Sequence, residues 1–137
     1  MTYGTGDASF RAAGGREGLR QLVDAFYRHM DTLPEARVIR AMHDEDLTLA
    51  REKLLVFLCG WLGGPKEYAA RFGPIRNPAV HAHLTIDEPE RDAWLQCMAA
   101  AVAELASWSP DFAEYFLGAI AVPAERVRRA SAAARED

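Results

Sequence analysis

Leu19, Leu22, Val23, Phe26, Tyr27 and Met30 recur at the i, i+3, i+4, i+7 spacing of an α-helix, while no stretch alternates apolar and polar residues for long. The first pattern builds one apolar stripe along a helix. The lack of the second removes half-buried strands, so the expected fold class is all-α, with helices burying their stripes on one another. The periodicity returns three more times. Asp46 to Leu62 carries Ala50, Leu54, Phe57, Leu58 and Trp61 on one side. Asp87 to about Ala106 aligns Trp94, Met98, Val102 and Leu105, and a last stripe runs through Phe112, Tyr115, Phe116, Ala119 and Ile120. Shorter helices are predicted over Pro34–Met42 and Lys66–Phe72.

Breakers and caps set the limits of these helices. Pro34 disfavours helix at Leu33. Gly63-Gly64-Pro65 ends the second long helix, because glycine takes up positive φ and proline cannot extend a helix. Asp87 and Glu90 spell an acidic capping box, and Ser109-Pro110 puts a cap before a proline in the first helical position. Pro123 is expected to end or kink the last helix. The tail AERVRRASAAARED is helix-prone but poor in large apolar residues. One domain over residues 1–137 is therefore expected, with 1–13 as an N-terminal extension and 124–137 as an exposed or frayed tail. Gly73 to Ile86 contains Pro74 and Pro78 and is too broken for a long helix. A loosely wound stretch between helix pairs leaves room for a cavity. This one holds two of the chain's four histidines, His81 and His83.

A length of 137 residues suits one core. A formal net charge of −4 argues against nucleic acid, whose partners need a basic face. No uninterrupted apolar run approaches the ~18 residues of a membrane span. The N-terminus, MTYGTGDASFRAAGG, has neither the basic start nor the apolar run of a signal peptide. Cys59 and Cys97 sit in helical stripes and are expected to be buried small hydrophobes rather than a disulfide, and no CxxCH haem-attachment motif occurs. A reducing, cytoplasmic setting is the default expectation.

The stretches AAGGREGLRQLVDAFYRHMDTLPEA, REKLLVFLCGWLGGPKEYAARFG and ERDAWLQCM resemble, in this order, the group II truncated haemoglobins. These are small globins with a two-over-two helical sandwich around a haem. The resemblance covers roughly Gly14 to Leu105, and the pairing of WLGGPxxY with ERDxWLxCM carries it. It implies haem b (iron protoporphyrin IX) as cofactor and a proximal histidine as the iron ligand. Family members place that histidine five residues before the apolar residue preceding the capping box, and eight after the glycine that closes the previous helix. Counted from Ile86 and from Gly73, both spacings select His81. His83 falls where a proline is common, and solvent or a propionate is its implied contact. Arginines usually flank the ligand on its N-terminal side. Pro78 and Val80 stand there instead, which leaves Lys53 and Arg76 as candidate partners for the propionates.

On the distal side the resemblance makes Tyr27 and Trp94 hydrogen-bond donors to a diatomic ligand. Both carry one donor on a large apolar body. Periodicity alone reads them as core aromatics, and reads His81 as an ordinary core or surface histidine. His43 matches a haem-facing position after the short helix, with Met42 as the alternative one residue earlier. A histidine there could donate to the ligand or to Tyr27, or bond ferric iron itself. Ala50 stands where many larger globins place a distal histidine. Its methyl group cannot gate or hydrogen-bond, which leaves a direct route for ligands, and Leu54 one turn further is likewise apolar. Phe57 and Tyr68 pack on the porphyrin or serve the core, with neither role preferred. His29 is expected on a solvent face.

The implied function is a haem protein that binds or transports O₂ and also takes CO and NO, with no catalytic residue assigned. The alternative is a haem enzyme, of nitric oxide dioxygenase or peroxidase-like activity. It would need a separate electron-donating reductase, since the chain has no flavin or nicotinamide domain. A helical interaction domain without haem ranks third, because the proximal count and the Tyr27/Trp94 pair converge on one pocket. A monomer or weak homodimer is expected.

Overall fold

The structure is a computed structural model that describes residues 3–73 and 86–136; Arg76, His81 and His83 lie outside the described residues. Every regular element among the described residues is helical. Helix α1 spans Ala8–Ala12, α2 Gly15–Thr32, α3 Arg37–Ala41 and α4 Thr48–Trp61. Helix α5 spans Tyr68–Phe72, α6 Glu88–Ala103 and α7 Pro110–Glu136. The single helix expected over Pro34–Met42 is split into a 3-10 turn, Pro34–Ala36, and α3. Proline at the first position suits that tight turn, since its missing N–H is an orphan there anyway.

Helix α2 packs against both α4 and α6, and α6 packs against α7, so two helix pairs lie one over the other. Leu19, Leu22, Phe26 and Met30 of α2, Leu55 and Leu58 of α4, Met98 of α6 and Phe112, Phe116 and Ile120 of α7 fill the space between them. All but Leu55 are stripe residues the periodicity selects; of the α4 stripe only Leu58 is fully buried, and Ala50, Leu54, Phe57 and Trp61 are half-buried at its margin. Cys59 and Cys97 are buried among them as free thiols. Trp108, in the α6–α7 connection, lays its ring 4.7 Å from Phe112 and donates its indole N–H to the Ala13 carbonyl at 3.0 Å.

The GGP stop is a Schellman turn. Gly64 N–H reaches the Cys59 carbonyl at 2.8 Å and Gly63 N–H the Gly60 carbonyl at 3.1 Å, with Gly63 at φ 95°. The next free carbonyl, Leu62, accepts from Phe10 N–H at 3.0 Å, so the N-terminal segment completes the end of α4. Residues 8–13 of the N-terminal extension are thereby built into the packing, with Ala8, Ser9 and Ala13 buried. A Cβ on Gly63 would lie 1.9 Å from the Gly6 carbonyl oxygen. Gly63→Ala combines that clash with a left-handed backbone, so it should cost more than about 1 kcal/mol. Urea unfolding followed by circular dichroism checks this, with a lower midpoint and an unchanged slope.

The capping box forms as expected: Asp87 accepts from the third residue of α6, and Glu90 Oε1 accepts from Asp87 N–H at 2.8 Å. Ser109 Oγ caps α7 through Phe112 N–H at 3.1 Å. His29 is not free in solvent. Its Nε2 lies 2.6 Å from Glu104, which also accepts from Arg28 at 2.5 and 2.6 Å, tying the end of α2 to the end of α6. The tail expected to be exposed or frayed is instead helical to Glu136, through Pro123, and Ser131 is fully buried. Tertiary contacts offset a proline that alone disfavours a helix interior by about 3 kcal/mol. No helix among the described residues is long and apolar enough to cross a membrane.

Candidate ligand pocket

Tyr27 sits on the face of α2 that meets α4, with its ring 4.9 Å from Phe26 and only 5% of its surface exposed. Its O–H donates to the Ala50 carbonyl at 3.4 Å. That bond is long and weak, and Ala50 already serves the first turn of α4. Burial pushes the Tyr27 phenol up to about 12, against the pull of the nearby Arg51 guanidinium. Tyr27 is therefore a protonated donor throughout the physiological range.

His43, just past α3, turns its ring edge-on to Tyr27 with centroids 5.9 Å apart. Its Nδ1 lies 2.9 Å from the Ile39 carbonyl. A carbonyl oxygen only accepts, so the proton of neutral His43 sits on Nδ1 and Nε2 is left as an acceptor. The neutral donor role open to His43 from sequence conflicts with this bond. Met42 is half-buried beside it. Trp94 lies roughly two turns into α6, half-buried, with its ring 5.1 Å from that of Phe26. Phe26 thus joins Trp94 to Tyr27. Sequence periodicity gives Phe26 only a core role, and nothing in the residue order marks the Ile39 carbonyl.

The same side of α4 presents Ala50, Leu54, Phe57 and Trp61, all half-buried at the margin of the core. Phe57 and Trp61 stack with centroids 6.2 Å apart. Exposed Lys53 holds its ammonium 5.7 Å from the Phe72 ring and forms no ion pair among the described residues. Tyr68 leans on the other side of that contact, its ring 5.2 Å from Phe72. Arg71 is committed to Glu52 at 2.8 Å, and that hydrogen bond holds the Glu52 carboxyl below its usual range. A cleft of about 490 Å³ between Asp44, Asp46, Thr48, Leu49, Glu52 and Arg71–Phe72 opens beside this edge, and none of the distal aromatics line it.

Desolvation raises both thiols, Cys97 up to about 11, so neither is a nucleophile or ready metal ligand near neutral pH. No cluster of three His, Cys, Asp or Glu suited to a bare metal ion occurs among the described residues. What they do assemble is an apolar helix face with a donor, Tyr27, and an acceptor, His43, at one end and a free ammonium at its edge. Of the residues singled out from sequence, Tyr27, His43 and Ala50 come together directly. Trp94 joins through Phe26, and Lys53, Leu54, Phe57 and Tyr68 lie along α4 and α5.

A family model described as bacterial-like globin matches residues 8–121. Group 2 truncated haemoglobin YjbI of Bacillus subtilis (strain 168) is 37% identical over 84 residues, which cover 61% of this chain and 61% of that relative. The match thus spans less than two thirds of that curated relative. The group II 2-on-2 haemoglobin from the plant pathogen Agrobacterium tumefaciens is similar with a TM-score of 0.83 and 33% identity, over 93% of this chain and 98% of that one. The truncated oxygen-avid haemoglobin from Bacillus subtilis gives 0.79 and 31%, over 88% and 98%.

Proposed function

The chain belongs to the bacterial-like globin family, as a group II truncated haemoglobin with the two-over-two fold, and from that premise we propose that it holds haem b and binds O₂, CO and NO. The observation that carries this reading is the pairing of buried Tyr27 with His43 at the end of the half-buried α4 face. The residues fit the group. Ala50, Leu54 and Phe57 offer an apolar surface to a flat macrocycle, and Tyr68 closes its edge. Lys53 has an ammonium to give to a propionate, with Arg76 as the second candidate. His81 is the iron ligand through one neutral imidazole nitrogen.

Haem iron would supply the coordination position for the diatomic ligand. Tyr27 and Trp94 would present an O–H and an indole N–H as donors to a polarised diatomic ligand held in the pocket. Tyr27 gives up little to do so, since its present bond to Ala50 is long. Ala50 leaves a small, ungated approach. His43 accepts from Tyr27 or from water when neutral, and presents a second N–H only when protonated.

The visible spectrum of purified protein in ferric, ferrous and CO-bound forms tests the reading. Soret and Q bands that respond to reduction and to CO are expected; a colourless protein that takes up no added haemin would end it. His43 has its own test. Fluoride affinity of the ferric protein should change in His43→Leu, because the variant removes the imidazole that faces Tyr27. Identical fluoride affinities in the two proteins would put His43 outside the pocket and leave Met42 facing the haem.

A further inference from the structure

The end of α7 plays no part in the reading above and lies past the residues the family model matches, 8–121. Pro123 removes one amide donor from the helix, yet the helix continues to Glu136. Its contacts run to the start of α6. Ile86 N–H donates to Ser131 Oγ at 2.9 Å, and Ser131 is 0% exposed. Toward Pro123, Glu125 accepts from Arg91 Nη1 at 2.9 Å. Arg128 donates to the same carboxylate at 2.6 and 2.8 Å, and Arg129 at 3.2 Å. Glu125, Arg128 and Ser131 recur every three residues, so they share one side of the helix. Arg126 and Arg129 point outward, both exposed. The three arginines hold the Glu125 carboxyl far below the usual carboxylate range, so its charge is permanent.

These contacts bracket one junction. The capping box fixes the first turn of α6 from inside the helix. Ser131 fixes the residue just before that cap from outside it. Arg91, one turn into α6, is the third anchor. Downstream, α6 carries Trp94. Upstream, Ile86 is five residues from His81. We propose that Ser131 and Glu125 are positioning residues: they set the junction between the segment that carries His81 and the helix that carries Trp94, and so govern how firmly haem is kept. This rests on the haem reading above.

Amide hydrogen exchange and haem transfer test it together. In Ser131→Ala, Ile86 loses its acceptor, and its amide should exchange roughly ten- to hundredfold faster. The rise should be confined to Ile86 and the first turn of α6, with α2 and α4 unchanged. Haem loss to an excess acceptor protein should quicken by about tenfold, which corresponds to a loss of roughly 1.4 kcal/mol. The iron–histidine stretch in the ferrous Raman spectrum should shift as well. Glu125→Gln keeps the shape and removes the charge, and should quicken haem loss less, with far-UV circular dichroism unchanged. Unchanged exchange at Ile86, or an equal rise in every helix, would reduce the α7 end to ordinary packing and overturn the proposal. So would local loosening at Ile86 with haem loss within twofold of wild type. A wild-type protein without haem would instead fail the proposed function and, with it, the haem-retention part of this one; exchange at Ile86 would still decide the anchoring.

Discussion

His81→Ala should give a folded protein that no longer retains haem, whereas His83→Ala should keep a spectrum near wild type. In the proposed function His81 alone is assigned to the iron, so on that proposal loss of its imidazole removes the bond that holds the haem. The fold should survive, because the core is built from Leu19, Phe26, Leu58, Met98, Phe112 and Phe116. Far-UV circular dichroism separates the two effects: helicity stays while the Soret band is lost. Added free imidazole should restore part of the band in His81→Ala, since it can refill the ligand position without a covalent tether. The opposite pattern, with His83→Ala colourless, would make His83 the ligand and void the two spacings counted from Ile86 and Gly73. Loss of helicity in His81→Ala would mark a structural histidine instead.

How much of this was open to sequence depends on the kind of signal. The four long stripes were legible because a 3.6-residue period is a property of residue order alone. The end of α4 was legible for the same reason, since Gly63 is chosen for its own φ. Pro123 misled, because the local rule for proline was outweighed by Glu125 pairing with Arg91 of α6 and Ser131 bonding Ile86 just before it. Ser131 is a buried polar residue whose partner is a backbone N–H 45 residues away, which no spacing announces. Tyr27 and Trp94 were separable from ordinary core aromatics only through the resemblance, since a stripe position looks the same whether it meets a core or a pocket. The proton on His43 depends on the Ile39 carbonyl, a backbone atom with no residue signature. His81, Arg76 and His83 lie outside the described residues, so the proximal side rests on the counted spacings.

Tyr27→Phe and Trp94→Phe should each speed O₂ dissociation by roughly ten- to hundredfold, the kinetic form of about 1.5–3 kcal/mol for a hydrogen bond to a charged acceptor. Each change removes one donor and keeps most of the ring. The Tyr27 effect should fall at the upper end, because its O–H is buried and its present partner, the Ala50 carbonyl, is 3.4 Å away. CO dissociation should change less, since bound CO is the poorer acceptor. The two rings are linked through Phe26, so the double variant should fall short of the product of the singles. With its phenol raised to about 12, Tyr27 stays a donor as pH rises and would lose that role only near the raised value. Its share of the O₂ off-rate should therefore be flat from about pH 6 to 10. Stopped-flow O₂ replacement by CO measures this. Off-rates within twofold of wild type in both single variants would remove Tyr27 and Trp94 from the ligand's hydrogen bonds and return them to the core stripes on which their spacing first places them.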